Sequence, residues 1–407
     1  MKINVIHSCA FVKPFVSFVV KFYFIEPRRS QNSHKVTQRK DSLSNFFNFA
    51  VLTYPFIMIK VLVTGGSGFL GRAVIDELID PQSPLSASDI RILDQKEYEG
   101  SSDGGIEFRK GDVRDYEFLL DAVKEIDVVI HSAAIVDWGT KSDEEIYSVN
   151  VEGTRNVIKA CREGGVGYLV YTSSLDAIFG GKPLVNIDES IPYPNEHPTS
   201  YCSSKYLAEK MVRESNNTVL KTCSLRPSDI YGENDPYHIG SLLQMAKGGF
   251  YVRLGNGKSK SQHTYVRNIA YAHLLAAKAL MDGNQSICGN AYLITDGPGT
   301  NFFHFFDRIV ESAGYKIWPK NLWLPRPLAM FIGTVSDGIA VLARPFKQYT
   351  PKMSRFAVTY TCTDFTFSSG KAKKDFGFVP KYSEEEAFKR TVDFYRKVKN
   401  QNGVETD

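Results

Sequence analysis

Ile59-Lys-Val-Leu-Val-Thr64 is a short, β-rich apolar run that leads without a spacer into glycines at 65, 68 and 71. Leu70, Ala73, Val74 and Leu78 then recur at helical spacing. A strand that turns directly into a helix on three glycines leaves few folds open. The turn is tight, the helix packs close to the sheet, and bare backbone faces a ligand. Gly65, Gly68, Phe69, Leu70 and Gly71 supply that backbone. The unpaired amides and the positive end of the helix dipole suit a pyrophosphate. A Gly-rich turn with no ligand is the plain alternative, and the context argues against it. Asp94 ends the next apolar run, Arg91-Ile-Leu-Asp94, where a carboxylate accepts the adenosine ribose hydroxyls. It also repels a 2′-phosphate, so NAD is expected over NADP; Arg72 and Lys96 are nearby cations that pull the other way.

Strand and helix patterns alternate beyond this point. Ile90–Leu93 and Ile106–Arg109 read as strands. Val128–His131 and Tyr168–Thr172 are nearly continuous apolar runs, as strands covered on both faces are. Helical periodicity covers Tyr147–Cys161, and Leu220–Leu225 is a further strand. Helices are expected over Val266–Leu280 and Phe302–Ala313. The βαβ succession predicts an α/β protein with a doubly wound parallel sheet of the Rossmann type. Residues 58–227 are expected to form the nucleotide domain. Residues 228–400 are expected to form mainly a smaller substrate-binding region.

Residues 1–57 differ from the rest and are expected to lie outside the fold. Ile3–Ile25 is apolar but broken by Lys13, Pro14 and Lys21, short of the roughly 20 uninterrupted residues of a spanning helix. An anchor, a targeting peptide and a gene-prediction artefact all suit it, and Met58 reads as a natural start of the folded part. Eight basic against two acidic residues make this stretch net +6, which leaves residues 58–407 at −2 of the chain's +4. A body of that charge gives no reason to expect nucleic acid as a partner. The six cysteines are scattered without a Cys-x-x-Cys pair, so neither a metal site nor a disulfide framework is expected.

Tyr-x-x-x-Lys occurs at Tyr201/Lys205, Tyr206/Lys210 and Tyr395/Lys399, so position must choose among them. Tyr201 follows the strand ending in Thr172-Ser173-Ser174 by about 30 residues. Residues four apart share a helix face, which puts Lys205 beside the Tyr201 hydroxyl. A neighbouring ammonium favours the phenolate. A drop of about 3 pKa units needs about 4 kcal/mol of differential stabilisation. Tyr201 is thus the candidate general base and Ser174 the group that orients the substrate oxygen. An exposed amphipathic pair is the alternative.

These residues together resemble the extended short-chain dehydrogenase/reductases. The closer resemblance is to the 3β-hydroxysteroid dehydrogenase/isomerase family, including its sterol-decarboxylating branch. It is carried by Thr64–Gly71, Gly111–Asp115, His131–Ala134, Asn150–Thr154, Tyr171–Ser174, Tyr201–Lys205, Leu225–Gly232 and Lys371–Pro380. The resemblance implies Ser174, Tyr201 and Lys205 as catalytic residues. It implies Asp112 and Val113 at the adenine, Ala133 and Ala134 along the cofactor, and Pro227 beside the nicotinamide. A turn at Asp112, close packing at the alanines and a strand end at Pro227 are the structural alternatives. The implied activity is NAD-dependent oxidation of a sterol or steroid 3β-hydroxyl to the ketone, with a following isomerisation or C4 decarboxylation left open. The resemblance also implies a homodimer on the cytosolic face of the endoplasmic reticulum membrane; a mitochondrial membrane, which the basic N-terminus suits, and the cytoplasm are the alternatives.

Residues 322–343 are apolar for most of their length, interrupted by Ser336, Asp337 and Gly338. A helix lying on a bilayer is expected there, with a buried helix of the substrate region as the alternative. This stretch argues against a nucleotide-sugar pocket. A sugar-nucleotide epimerase, another ketone reductase of the extended family, and a non-enzymatic cofactor-binding scaffold are the rival readings.

Overall fold

The structure is a computed structural model that describes residues 59–100, 105–137, 141–343 and 353–403. Expectations for residues 1–57 lie outside the described residues.

The elements run β1 (Ile59–Thr64), α1 (Phe69–Ile79), β2 (Ala87–Asp94), β3 (Ile106–Lys110), α2 (Tyr116–Ala122), β4 (Val128–His131) and α3 (Asp143–Tyr147). A π-helical segment, Ser148–Gly153, joins α3 to α4 (Thr154–Glu163). There follow β5 (Tyr168–Thr172), β6 (Leu184–Ile187), α5 (Ser200–Glu214), β7 (Lys221–Pro227), β8 (Asp229–Tyr231), α6 (His238–Lys247), β9 (Arg253–Leu254) and β10 (His263–Tyr265). The chain continues through α7 (Val266–Met281), β11 (Asn290–Ile294), α8 (Phe302–Ser312), β12 (Trp323–Leu324) and α9 (Arg326–Ala343). It ends with α10 (Arg355–Thr361), β13 (Phe365–Phe367), α11 (Gly370–Phe376) and α12 (Glu384–Gly403).

Seven parallel strands form one sheet in the order β3-β2-β1-β4-β5-β7-β11. The order reverses direction between β1 and β4, and ligands of doubly wound sheets bind at such a switch point. Side chains alternate along each strand, so Val61 and Val63 enter the core on one face and Leu62 the core on the other. Helices α1 and α7 cover the first face; α2, α4 and α5 cover the second. Each buried Val or Leu contributes about 1.5–3 kcal/mol relative to an exposed one.

The nucleotide layer does not end at residue 227. After Pro227 the chain leaves the sheet, then returns with α7 on its face and β11 as its seventh strand. Ala291, Leu293 and Ile294 are buried there, which explains why this late stretch is as apolar as the early strands. Small two-stranded pairings, β8 with β10, β9 with β12 and β6 with β13, build the second region over the strand ends.

Residues 322–343 fold as the short strand β12 and the helix α9. Ala329, Gly333 and Ala340 form its covered side. A Cβ on Gly333 would stand 2.9 Å from the Arg355 amide nitrogen, so glycine lets α9 approach the start of α10. Asp337, which interrupts the apolar run, accepts that same amide at 2.9 Å. Leu328, Phe331, Ile332, Val335, Ile339 and Leu342 form a continuous opposite stripe, with Phe331 67% and Leu342 77% exposed. Among the described residues, no helix is long and apolar enough to cross a membrane.

Candidate active site

A cavity of about 600 Å³ opens along the ends of β1, β2, β4, β5 and β7. Gly65, Gly68, Phe69, Leu70 and Gly71 line one end, with Asp94 beside them. Gly65 has φ +74°, and a Cβ there would lie 2.7 Å from the Ala133 backbone. A Cβ on Gly71 would lie 2.1 Å from the Gly65 carbonyl oxygen. The glycines thus let α1 start directly against the strand ends, with its first amides open to the cavity. Asp94 accepts the amides of Ser67 at 3.0 Å and Lys96 at 2.9 Å, which holds its carboxylate at the rim. These residues fit a dinucleotide.

Ala133, Ala134, Val113 and Pro227 also line the cavity, as expected of them. Asp112 does not. Its carboxylate is taken by Arg114, whose Nη2 lies 2.5 Å from Oδ2, and by Gln95 at 3.0 Å. Its neighbours Gly111, Val113 and Arg114 form the cavity wall there, while Asp112 anchors Arg114.

Asn150 supplies a support that residue spacing did not reveal. It sits in the π-helical segment, where the widened turn swings its amide towards the β4 end. Its Oδ1 accepts the Ile135 amide at 2.8 Å and its Nδ2 donates to the Ile135 carbonyl at 3.0 Å and to Ser204 Oγ at 3.0 Å. One side chain thereby ties the loop after β4 to helix α5.

Helix α5 begins at the Thr199 cap, whose Oγ1 accepts the Cys202 amide. Tyr201, Lys205 and Glu209 recur every four residues on its inner face, all buried. Glu209 accepts two bonds from Arg226 on β7, at 2.8 and 2.6 Å, and this pair fixes the helix against the sheet. Lys205 Nζ donates to the Thr172 carbonyl at 2.6 Å and lies 4.6 Å from the Tyr171 ring centroid. Tyr201, Ser174 and Lys205 therefore meet at the β5 end, in the middle of the cavity. Tyr395 is buried elsewhere, against the Gly232 and Asp235 carbonyls, and neither it nor Tyr206 lines the cavity.

The electrostatics differ from what four-residue spacing alone implies. Burial, and next the Asp176 charge, raise the Tyr201 phenol well above its ordinary value, while a hydrogen bond with Ser174 opposes them. Burial pulls Lys205 down to about 7. Desolvation thus outweighs the proximity of the ammonium within the protein's own field.

Ser174 donates to Asp176 Oδ2 at 2.7 Å and accepts the Asp176 amide at 3.1 Å. Beyond it lie Asp229, Ile230, Tyr237, His238, Phe356 and Tyr360, which close the far end of the cavity. Asp229, His238 and Tyr360 went unnoticed in the sequence. Their partnership joins residues 131 apart, and no local spacing marks it.

A model of the 3-beta hydroxysteroid dehydrogenase/isomerase family matches residues 62–326. The chain belongs to this family. It is 33% identical over 362 residues to the 3beta-hydroxysteroid-dehydrogenase/decarboxylase isoform 1 of Arabidopsis thaliana, covering 85% of this chain and 82% of that one. It is 34% identical over 352 residues to the human 3 beta-hydroxysteroid dehydrogenase type 7, covering 81% and 94%. Among solved structures, a dTDP-glucose 4,6-dehydratase from Streptomyces venezuelae with NAD bound aligns at TM-score 0.66 and 20% identity, covering 84% of this chain and 98% of that one. That likeness bears on the fold. Family members named as dehydrogenases make this chain an oxidoreductase acting on CH–OH groups. The expected sheet architecture and family are thereby borne out.

Proposed function

We propose that the protein oxidises the 3β-hydroxyl of a sterol or steroid to the 3-ketone, with NAD as hydride acceptor. The carrying observation is the meeting of Tyr201, Ser174 and Lys205 in the middle of a cavity whose one end is the glycine turn. Tyr201 takes the hydroxyl proton, Ser174 holds the oxygen in line, and Lys205 sets the charge beside them. Bound NAD supplies the hydride acceptor and a positive ring. Because the protein's own groups favour the neutral phenol, Tyr201 depends on that positive ring and Lys205 to act as a base.

Two observations support a sterol over a sugar nucleotide. Ile230, Tyr237, Phe356 and Tyr360 offer apolar and aromatic surface at the substrate end. Asp176 and Asp229 line the same end, and buried carboxylates repel a diphosphate. For the cofactor, Asp94 supports NAD. Of the two nearby cations, Arg72 is engaged by Glu99 at 3.1 Å and the Ser67 carbonyl at 2.9 Å, while Lys96 lines the cavity beside Asp94.

We also propose that the exposed stripe of α9 rests on a lipid surface. Its apolar residues are exposed, and α9 leans on α10, which contributes Phe356 and Tyr360 to the cavity. A bilayer is where a sterol is dissolved, so the stripe and the substrate end face the same phase. A family-typical endoplasmic reticulum location agrees with this. The function is tested by NADH formation from 3β-hydroxysteroids, 4-carboxysterols and UDP-sugars. NADH with the sterols supports it; conversion of a UDP-sugar without net NADH overturns it.

A further inference from the structure

A second cavity, of about 540 Å³, lies beside the edge strand β11. Its wall combines Asp188 and Glu189 from the loop after β6, Arg213 from the last turn of α5, Arg226 from β7 and Lys371 from the start of α11. None of its lining residues lines the catalytic cavity.

Two cationic nitrogens of this wall are shielded from solvent and, among the described residues, find no hydrogen-bond acceptor. The first is Arg226 Nη1. Arg226 is 2% exposed, and its Nε and Nη2 are spent on Glu209. The Tyr193 hydroxyl nearby donates to Glu209 Oε1 at 2.5 Å and accepts Arg213 Nη1 at 2.8 Å. The second is Lys371 Nζ. It rests 3.7 Å from the Tyr292 ring centroid and 3.5 Å from Asp375 Oδ2, an ion pair without a hydrogen bond. Burial lowers the Lys371 pKa against the pull of Asp375 and Glu189.

A buried donor without an acceptor has given up its hydration for nothing, so native interiors supply it with a partner. Two such donors, both charged and both on one cavity wall, ask for an acceptor that carries negative charge. The carboxylates of the same wall do not serve them. Asp188 Oδ1 accepts the Ser190 amide at 2.9 Å and its hydroxyl at 2.5 Å, and Glu189 Oε1 accepts the Leu293 amide at 2.9 Å. These two carboxylates, with Glu209 behind Arg226 and Asp375 beside Lys371, disfavour a dianion such as phosphate. A single charge spread over two oxygens, one for each donor, fits the wall better.

We propose that this cavity is a second ligand site, which takes a small organic monocarboxylate on Arg226 Nη1 and Lys371 Nζ. Asn290 and Ser368 line the remaining space, so the body of the ligand meets polar surface. The guanidinium that takes the carboxylate is the one that holds Glu209, four residues from Lys205 on the inner face of α5. A bound carboxylate therefore shares a cation with the helix that carries Tyr201 and Lys205.

The test is thermal unfolding and isothermal titration of the full chain with sodium acetate, in the presence of NADH so that the glycine turn is occupied. Sodium chloride at equal ionic strength and inorganic phosphate are the comparisons. Acetate is expected to raise Tm saturably and to bind at one site, while chloride and phosphate do not. Lys371→Met is expected to weaken acetate by at least about tenfold, the loss of one charge-assisted hydrogen bond. Glu189→Gln keeps an oxygen for the Leu293 amide and removes a repelling charge, so acetate is expected to bind several-fold tighter. That gain carries the test if Lys371→Met fails to fold. Chloride matching acetate means salt screening alone, and phosphate bound more tightly than acetate and weakened by Lys371→Met means the wrong ligand class. Acetate affinity unchanged in folded Lys371→Met or in Glu189→Gln means that water serves the two donors. Each of these results overturns the assignment. No readout depends on NADH formation, so the outcome stands apart from the oxidation proposed above.

Discussion

Ser174 donates its hydroxyl hydrogen to Asp176 Oδ2 at 2.7 Å and accepts the Asp176 amide at 3.1 Å, which leaves one lone pair for the groups at the cavity centre. The serine that orients the substrate oxygen is itself oriented by a buried carboxylate. That carboxylate also disfavours the Tyr201 phenolate.

Replacing Asp176 with Asn removes a negative charge that raises the Tyr201 pKa. The phenolate then forms more readily, so the rising limb of the kcat/KM–pH profile moves to lower pH. The profile is read from NADH formation; a limb that stays put or moves up contradicts the assigned coupling.

Gly71→Ala would place a methyl 2.1 Å from the Gly65 carbonyl oxygen and 2.6 Å from Gly66 Cα. Both atoms are backbone, so the turn must open. NADH affinity, measured by fluorescence titration, is expected to fall by at least about tenfold, roughly 1.4 kcal/mol.

Much of the sheet was legible in the sequence because parallel strands are covered on both faces. Val128–His131 and Tyr168–Thr172 were expected at those limits and form β4 and β5 at those limits. β11 was missed, since its strand lies far along the chain and joins the sheet only after the excursion that ends in α7. Tyr201 and Lys205 do share a helix face, but spacing says nothing of desolvation. The buried ammonium settles on the Thr172 carbonyl, and the phenol is raised rather than lowered. Asp112 was placed at the adenine by resemblance alone; its pairing with Arg114, two residues away, shows only in the structure.

Phe331→Glu with Leu342→Glu puts charge on the exposed stripe of α9, where neither side chain supports the core. Co-flotation with phosphatidylcholine vesicles is expected to fall several-fold while activity on a detergent-solubilised steroid persists. Unchanged flotation contradicts the proposed lipid contact.

Acid stability follows from buried histidines. Burial lowers His131 to about 3 and His273 to about 4, while in the unfolded chain they titrate near 6.5. Unfolded chains therefore bind protons first as pH falls. Stability is full above about 6.5 and declines below it, until the folded values are reached, by up to about 1.4 kcal/mol per pH unit for each histidine. Urea midpoints between pH 7.5 and pH 4, roughly the window set by these shifts, check this; a flat profile contradicts it.

The most direct measurement is NADH formation by the full chain with NAD and a 3β-hydroxysteroid, wild type beside Tyr201→Phe. Wild-type turnover that falls by about 10²–10⁴ in Tyr201→Phe is the expected result. Turnover that survives the loss of the phenol, or no NADH from any 3β-hydroxylated lipid, contradicts it.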